Sequence, residues 1–424
     1  DFCLFVSIKA IILYKARYKH KIIIRKISEM KRFLMTALLV VMVFTSIIAG
    51  EHRTVIISLD GFRWDYTDMY DTPFLDSLAA HGVKAVMQPS FPSVTFPNHY
   101  TLATGLVPDH HGIISNRFYD KRTKSTFQLG KNQSNPLFWG GDPIWLTAKR
   151  QGKRVGVVYW PGSDVKINGE YPDYWSDYSK KPLLSFVERI AKIEQMLKMP
   201  EEQRPQLIMA YFSEPDHSGH TYGPESKQTR KQVETLDCLL GQLWNDIQSM
   251  PDADDINLII TSDHGMARLS DERIIHLDKY LDRKWYDRIA TGFPSMVFAK
   301  KGYEGMIIKA LSNVPHLRAY RKSDVPEYLH FGTNENIGEI VVLTDIGFVT
   351  STHDTTISGT HGFDPVYSDM NVIFRAAGPD FRKGYSRKST FRNVDIYPLL
   401  ARLLGITPSP CDGNLEEIKD MLAE

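Results

Sequence analysis

The sequence predicts an α/β fold: a mostly parallel sheet sandwiched by helices, with a small inserted α+β lobe. Three observations lead there. Short apolar runs without alternation recur along the chain, as strands buried on both faces require. Segments of helical period separate them, the order that builds crossover units. From about Ile274 to Val349 the pattern changes to short strands, many turn residues and one helix near Glu304 to Leu311. That change marks the lobe.

The elements follow in order. Arg53 to Leu59 reads as a buried strand ending at Asp60-Gly61. Thr72 to His81 is helical, with Phe74, Leu75 and Leu78 on one face, and Gly82 closes it. Val83 to Met87 is a strand, and Tyr100 to Thr104 an apolar-periodic segment closed by Gly105. Ile144 to Gln151 and Pro182 to Met199 read as helices, flanking a strand at Arg154 to Tyr159 and an aromatic segment at Tyr171 to Tyr178. Gln206 to Phe212 is a strand whose tip delivers Glu214 to His220; Glu225 to Met250 carries a long helical period. Ile256 to Ile260 is the next strand and ends at Asp263-His264-Gly265. A strand at Asn371 to Ala376 and a helix at Val394 to Leu404 close the fold.

With 424 residues, a net charge of +1 and 42% hydrophobic residues, the composition is globular and gives no case for nucleic-acid binding. Met30-Lys31-Arg32, an apolar run from Phe33 to Ile48 and Ala49-Gly50 read as a signal peptide over 30–50; an uncleaved anchor is the alternative. Residues 1–29 read as an upstream translation artefact before the true start at Met30. The expected organisation is then a catalytic core over 51–273 and 351–424, interrupted by the lobe at 274–350. An exported protein of bacterial type, periplasmic or secreted, follows, without a stable membrane anchor if the signal is cleaved. Of the three cysteines, Cys3, Cys238 and Cys411, the second sits in a helical pattern and reads as a buried small hydrophobe.

The chemistry centres on the stretch from Ser90 to His99. Thr95 falls near a helix N-terminus, where unpaired N–H groups favour negative charge. Its hydroxyl is either an N-cap or a nucleophile aimed at a phosphoryl group. Open parallel sheets place ligands beyond the carboxyl ends of their strands, and Asp60, Asp216 and Asp263 sit at such tips. His220 is four residues from Asp216, His264 adjoins Asp263, and His361 precedes a glycine in a further loop. Carboxylate and imidazole together form the ligand mixture of zinc sites, and the set is large enough for two metals. The competing reading is a metal-free polar cleft. His99, His110, His111 and His217 are assigned structural or supporting roles.

Seven motifs carry a resemblance. They are Asp60 to Arg63, Thr95 to His99, Gly112 to Asn116, Trp160 to Ser163, Glu214 to His220, Asp263 to Met266 and Gly359 to Gly362. Across nearly all of Thr54 to Ile406 the chain resembles the nucleotide pyrophosphatase/phosphodiesterase family of the alkaline phosphatase superfamily. The resemblance implies an alkaline-phosphatase-like fold and two zinc ions. One is held by Asp60, Thr95, Asp263 and His264; the other by Asp216, His220 and His361, with Asp60 or Asp263 close to both. It implies that Thr95 attacks phosphorus as a metal-bound alkoxide, giving a phospho-threonine that zinc-activated water resolves. Asn116 is then the donor to a non-bridging oxygen. Phe96 and Tyr178 match the aromatics that clamp the nucleobase, with Tyr211 nearby.

The implied activity is hydrolysis of nucleotide pyrophosphate and phosphodiester bonds, releasing nucleoside 5'-monophosphates. Lys166 is the only cation offered by Trp160 to Asn168, which favours diesters over dianionic monoesters. The cysteine-rich and nuclease-like domains of animal members are not expected, so no protein partner carries over. Two alternatives stay open: a choline-lipid phosphodiesterase or phosphomonoesterase of the superfamily, and a non-catalytic, metal-stabilised binding protein.

Overall fold

A computed structural model describes residues 30–31, 52–128, 130–351 and 358–423 of the chain. Two compact units divide it, Asp1–Glu51 and His52–Glu424. In the first only Met30 and Lys31 are described, both helical, so the expected leader and its cleavage point lie outside the described residues. No described helix is long and apolar enough to cross a membrane.

The second unit is built on a nine-stranded sheet. Its spatial order is Tyr385–Ser386, Val83–Gln88, Val372–Ala377, Ile256–Thr261, Arg53–Leu59, Leu207–Phe212, Val155–Val158 and Tyr174–Trp175; Phe391–Arg392 also pairs with Val83–Gln88. Only Val372–Ala377 runs antiparallel to its neighbours; every other pair is parallel. The sheet is mixed but mostly parallel.

The lack of alternation in its central strands has a plain cause: both faces are covered. Ile56, Met209, Ile259 and Phe374 pack to one side, under helices Thr95–Thr104, Ile144–Arg150 and Ile396–Leu403. Val55, Ile57, Ile208, Ala210, Leu258 and Ile260 pack to the other, under Pro73–His81, Phe186–Leu197 and Lys227–Gln248. Burying such side chains stabilises by about 1.5–3 kcal/mol each, before the cost of ordering the chain.

A second, antiparallel sheet lies within 286–344, in the order Tyr286–Ala290, Ser295–Ala299, Ile340–Thr344, Leu317–Arg321. Helix Glu304–Leu311 sends Ile307 and Leu311 into its core. Several elements were not legible in the sequence. Arg117–Asp120 and Ser125–Gln128 form a hairpin inside the polar segment, and Asp216–Tyr222 is helical. One expectation is corrected: Cys238 is exposed, not buried, because the apolar stripe of its helix runs through Val233, Leu236, Leu240 and Leu243 instead. Cys238 and Cys411 are both free thiols.

Parallel register positions the site. Leu59 pairs with Phe212, and Ser58 with Thr261, so three adjacent strands end at one level. The turns just past them carry the acidic tips, and Asp216 N donates to Asp60 O at 2.9 Å.

Candidate metal centre and phosphoryl site

Thr95 is the first residue of its helix, and Val94 occupies the N-cap position. The threonine hydroxyl therefore does not cap. Its Oγ1 lies 3.1 Å from His264 Nε2, among the three strand tips.

Three histidines share one arrangement. His264 Nδ1 lies 2.9 Å from Gly265 O, His220 Nδ1 2.8 Å from Gly359 O and His361 Nδ1 2.9 Å from Ser93 O. A carbonyl only accepts, so each ring carries a hydrogen on Nδ1, the tautomer that leaves an Nε2 lone pair turned inward. His361 Nε2 and His220 Nε2 face each other at 3.1 Å, and the His264 and His361 rings stack at 3.5 Å. Burial, then the neighbouring His264 and His220, push His361 well below the ordinary histidine range.

The carboxylates are equally exposed to chemistry yet hidden from water. Asp60 Oδ1, Asp216 Oδ1 and Asp263 Oδ2 are buried without a hydrogen-bond donor. Burial, then repulsion from Asp263 and Asp216, raises Asp60 well above the carboxylate range. Burial also raises Asp216, with His220 and His264 opposing it. Burial works the same way on Asp263, but His264, His99 and His361 outweigh it and hold that carboxyl well below the usual range.

These atoms form two groups, each within 4.8 Å: Asp216, His220 and His361, and Asp60, Asp216 and His264. Asp216 belongs to both. Asp263 stands beside the second, its Oδ2 3.1 Å from His264 Nε2. Orphaned carboxylate oxygens facing bare imidazole nitrogens are the donor set of a divalent cation, and here there are two sets. His99 is excluded as a ligand by its bonds. Its Nε2 meets Ser58 Oγ at 2.9 Å and its Nδ1 meets Thr95 O at 3.0 Å, with Asp263 Oδ2 at 3.2 Å.

A cleft of about 240 Å³ opens above the cluster, lined among others by Thr95, Phe96, Asn116, Tyr159, Asp164 and Tyr178. Asn116 Oδ1 accepts from Phe96 N at 3.0 Å, so its amide NH₂ is left as a donor. No lysine or arginine lines the cleft among the described residues; Lys166 is exposed elsewhere. Tyr211 lines it too, and its hydroxyl donates to Asp60 Oδ2 at 2.6 Å, fixing which Asp60 oxygen stays free. His110 pairs with Asp412 at the surface, His217 is exposed, and His111 is buried away from the cluster beside Thr101.

Sequence reasoning missed Tyr159, Asp164 and Gln133 as cleft residues. Asp164 follows the Trp160 to Ser163 turn directly and was the one within reach.

Comparisons with known proteins agree on one lineage. The family described as type I phosphodiesterase / nucleotide pyrophosphatase matches residues 54–364. Human ectonucleotide pyrophosphatase/phosphodiesterase family member 5 is 36% identical over 378 residues, 88% of this chain and 78% of that protein. Human family member 1 is 36% identical over 387 residues, but the chain spans only 42% of its length. A solved structure of the murine member 5, in an inactive threonine-to-alanine form in complex with AMP, superposes with a TM-score of 0.83 at 34% identity, covering 88% of this chain and 100% of that one.

Proposed function

The chain belongs to the nucleotide pyrophosphatase/phosphodiesterase family of the alkaline phosphatase superfamily, whose members hydrolyse phosphoric ester and anhydride bonds, and on that premise we propose that it releases nucleoside 5'-monophosphates through a phospho-threonine on Thr95. The observation that carries this reading is Thr95 Oγ1 at 3.1 Å from His264 Nε2, a nitrogen grouped with Asp60 and Asp216, with the Asp216, His220 and His361 group beside it.

In this reading Thr95 Oγ1 forms a bond to phosphorus as the leaving oxygen departs, and water then releases the phosphoryl group from the threonine. The Asn116 amide donates to a non-bridging oxygen where charge develops. Asp60, Asp263 and His264 beside Thr95, and His220 and His361 beside them, with Asp216 reaching both groups, would hold two zinc ions, which would supply Lewis-acid charge. Phe96 and Tyr178 stack on the nucleobase, and stacking tolerates any base. Among the described residues the cleft lining holds no cationic clamp, which favours a diester's single charge over a monoester's two. The murine relative's complex with AMP supports a nucleotide in this cleft. The leader at 30–50 supports export to the periplasm or the medium, and 274–350 is read as the inserted lobe.

The test is release of p-nitrophenol from the p-nitrophenyl ester of thymidine 5'-monophosphate. Turnover is expected in the parent with zinc, and neither with chelator nor in metal-loaded Thr95→Ala. Near-parental turnover in that variant contradicts the nucleophile assignment.

A further inference from the structure

A buried cation stands behind the cleft without a carboxylate partner. Arg189, on helix Phe186–Leu197, is only 3% exposed, and no ion pair neutralises it among the described residues. Burying an unpaired guanidinium is costly. Its environment is built to hold it all the same. Nη1 donates to Tyr211 O at 2.6 Å and Nε to Leu184 O at 3.1 Å. The guanidinium carbon sits 4.8 Å from the centre of the Tyr159 ring, with Phe186 and Phe212 at 5.2 and 5.8 Å. Rings offer a cation their negative faces, and Arg stacks on them as Lys does not.

The residue under that cation is itself unusual. Tyr159 follows the strand Val155–Val158 with a φ of 60°, the left-handed region that a bulky residue rarely adopts. Its hydroxyl accepts from Leu184 N at 3.1 Å. Held so, Tyr159 lines the cleft and meets Tyr178 edge-to-face, with ring centres 5.4 Å apart at 87°. Lys181 Nζ lies 4.8 Å over the Tyr178 ring. One continuous set of contacts thus runs from Arg189 through Tyr159 to Tyr178.

We infer that Arg189 is a positioning residue for the nucleobase: it fixes the strained Tyr159, and Tyr159 sets the plane of Tyr178. The inference rests on the base-stacking role of Tyr178 proposed above. Arg189 touches no substrate in this account, and its effect is confined to the part of the substrate that stacks.

The experiment compares kcat/KM for the thymidylate p-nitrophenyl ester with that for bis-p-nitrophenyl phosphate, which has no base, in zinc-loaded full-length protein. Arg189→Gln is expected to lower the nucleotide/base-free ratio about five- to tenfold, through KM. A purely structural loss lowers both substrates together and leaves the ratio unchanged. Arg189→Lys keeps the charge and loses the planar fork, and it is expected to lower the same ratio; it serves if the glutamine variant does not fold. Tyr178→Ala is the control. A ratio unchanged in the Arg189 variants but lowered in Tyr178→Ala overturns the inference and leaves the clamp. A ratio unchanged in all of them overturns the clamp, and the inference with it.

Discussion

Two buried sets of carboxylates in this molecule are opposites. Asp109 is 5% exposed and each of its oxygens is used. Oδ1 accepts from Gly332 N and Asn334 N at 3.3 and 2.9 Å; Oδ2 accepts from Thr333 N and Thr333 Oγ1 at 2.9 and 2.5 Å. It ties the short helix Pro108–His111, just before the Gly112 to Asn116 segment, to residues 332–334. At the strand tips, Asp60 and Asp263 are buried too and Asp216 is half-buried, and each keeps a buried oxygen with no donor. Buried polar groups are nearly always satisfied. Three exceptions within one cluster therefore mark a place arranged for a cation, where folding alone would have chosen the Asp109 solution. The histidines divide the same way. His99 and His111 have both ring nitrogens engaged by protein groups, whereas His220, His264 and His361 engage Nδ1 with a carbonyl and turn Nε2 inward.

The contrast is broken or sharpened by substitution. The largest effect is expected at Asp216, the residue common to both groups. Asp216→Ala should lower phosphodiester turnover about a thousandfold or more, roughly 4 kcal/mol of transition-state stabilisation, with no loss of thermal stability in metal-free protein. A stability loss there would show that the oxygen is structural after all. Asp109→Ala should do the reverse: about 3 kcal/mol of unfolding free energy lost in denaturant titration, because buried N–H donors lose their acceptor, with near-parental activity per folded molecule.

A smaller effect is expected from pH. Burial pushes His111 down to about 3 from an ordinary value of 6.5. The unfolded chain then binds a proton that the native state refuses, so this group's contribution is complete above pH 6.5 and is lost as pH falls toward 3. Between pH 6.5 and 5 the loss is about 2 kcal/mol, at 1.36 kcal/mol per unit. The midpoint of thermal unfolding should drop less over that interval in His111→Gln than in the parent; equal drops assign the acid sensitivity elsewhere.

Much of the site was legible because strand register is legible. Unalternating runs announce a central parallel sheet, and the few residues past each run form its tip; Asp60 and Asp263 follow from that alone. What failed to show was whatever depends on tertiary contact. The i,i+4 spacing of Asp216 and His220 was visible, but the helix that makes them neighbours is short, follows a proline and carries a glycine, a pattern with no helical signal. Tyr211 read as one more aromatic near the base, while its hydroxyl holds Asp60 across adjacent strands, a pairing no local pattern encodes. The hairpin at Arg117–Gln128 pairs Phe118 with Phe127 inside a polar run too short for its alternation to register. Cys238 was placed inside by composition, whereas its angle on the helix turns it outward.

The central claim is that the unsatisfied oxygens and inward nitrogens form two metal sites sharing Asp216. Calorimetric titration of chelator-treated, dialysed full-length protein with zinc tests it most directly. Two ions per chain are expected in the parent, one in His220→Ala, and none bound tightly in Asp216→Ala. A single ion in the parent, or two ions still bound tightly by Asp216→Ala, would contradict it.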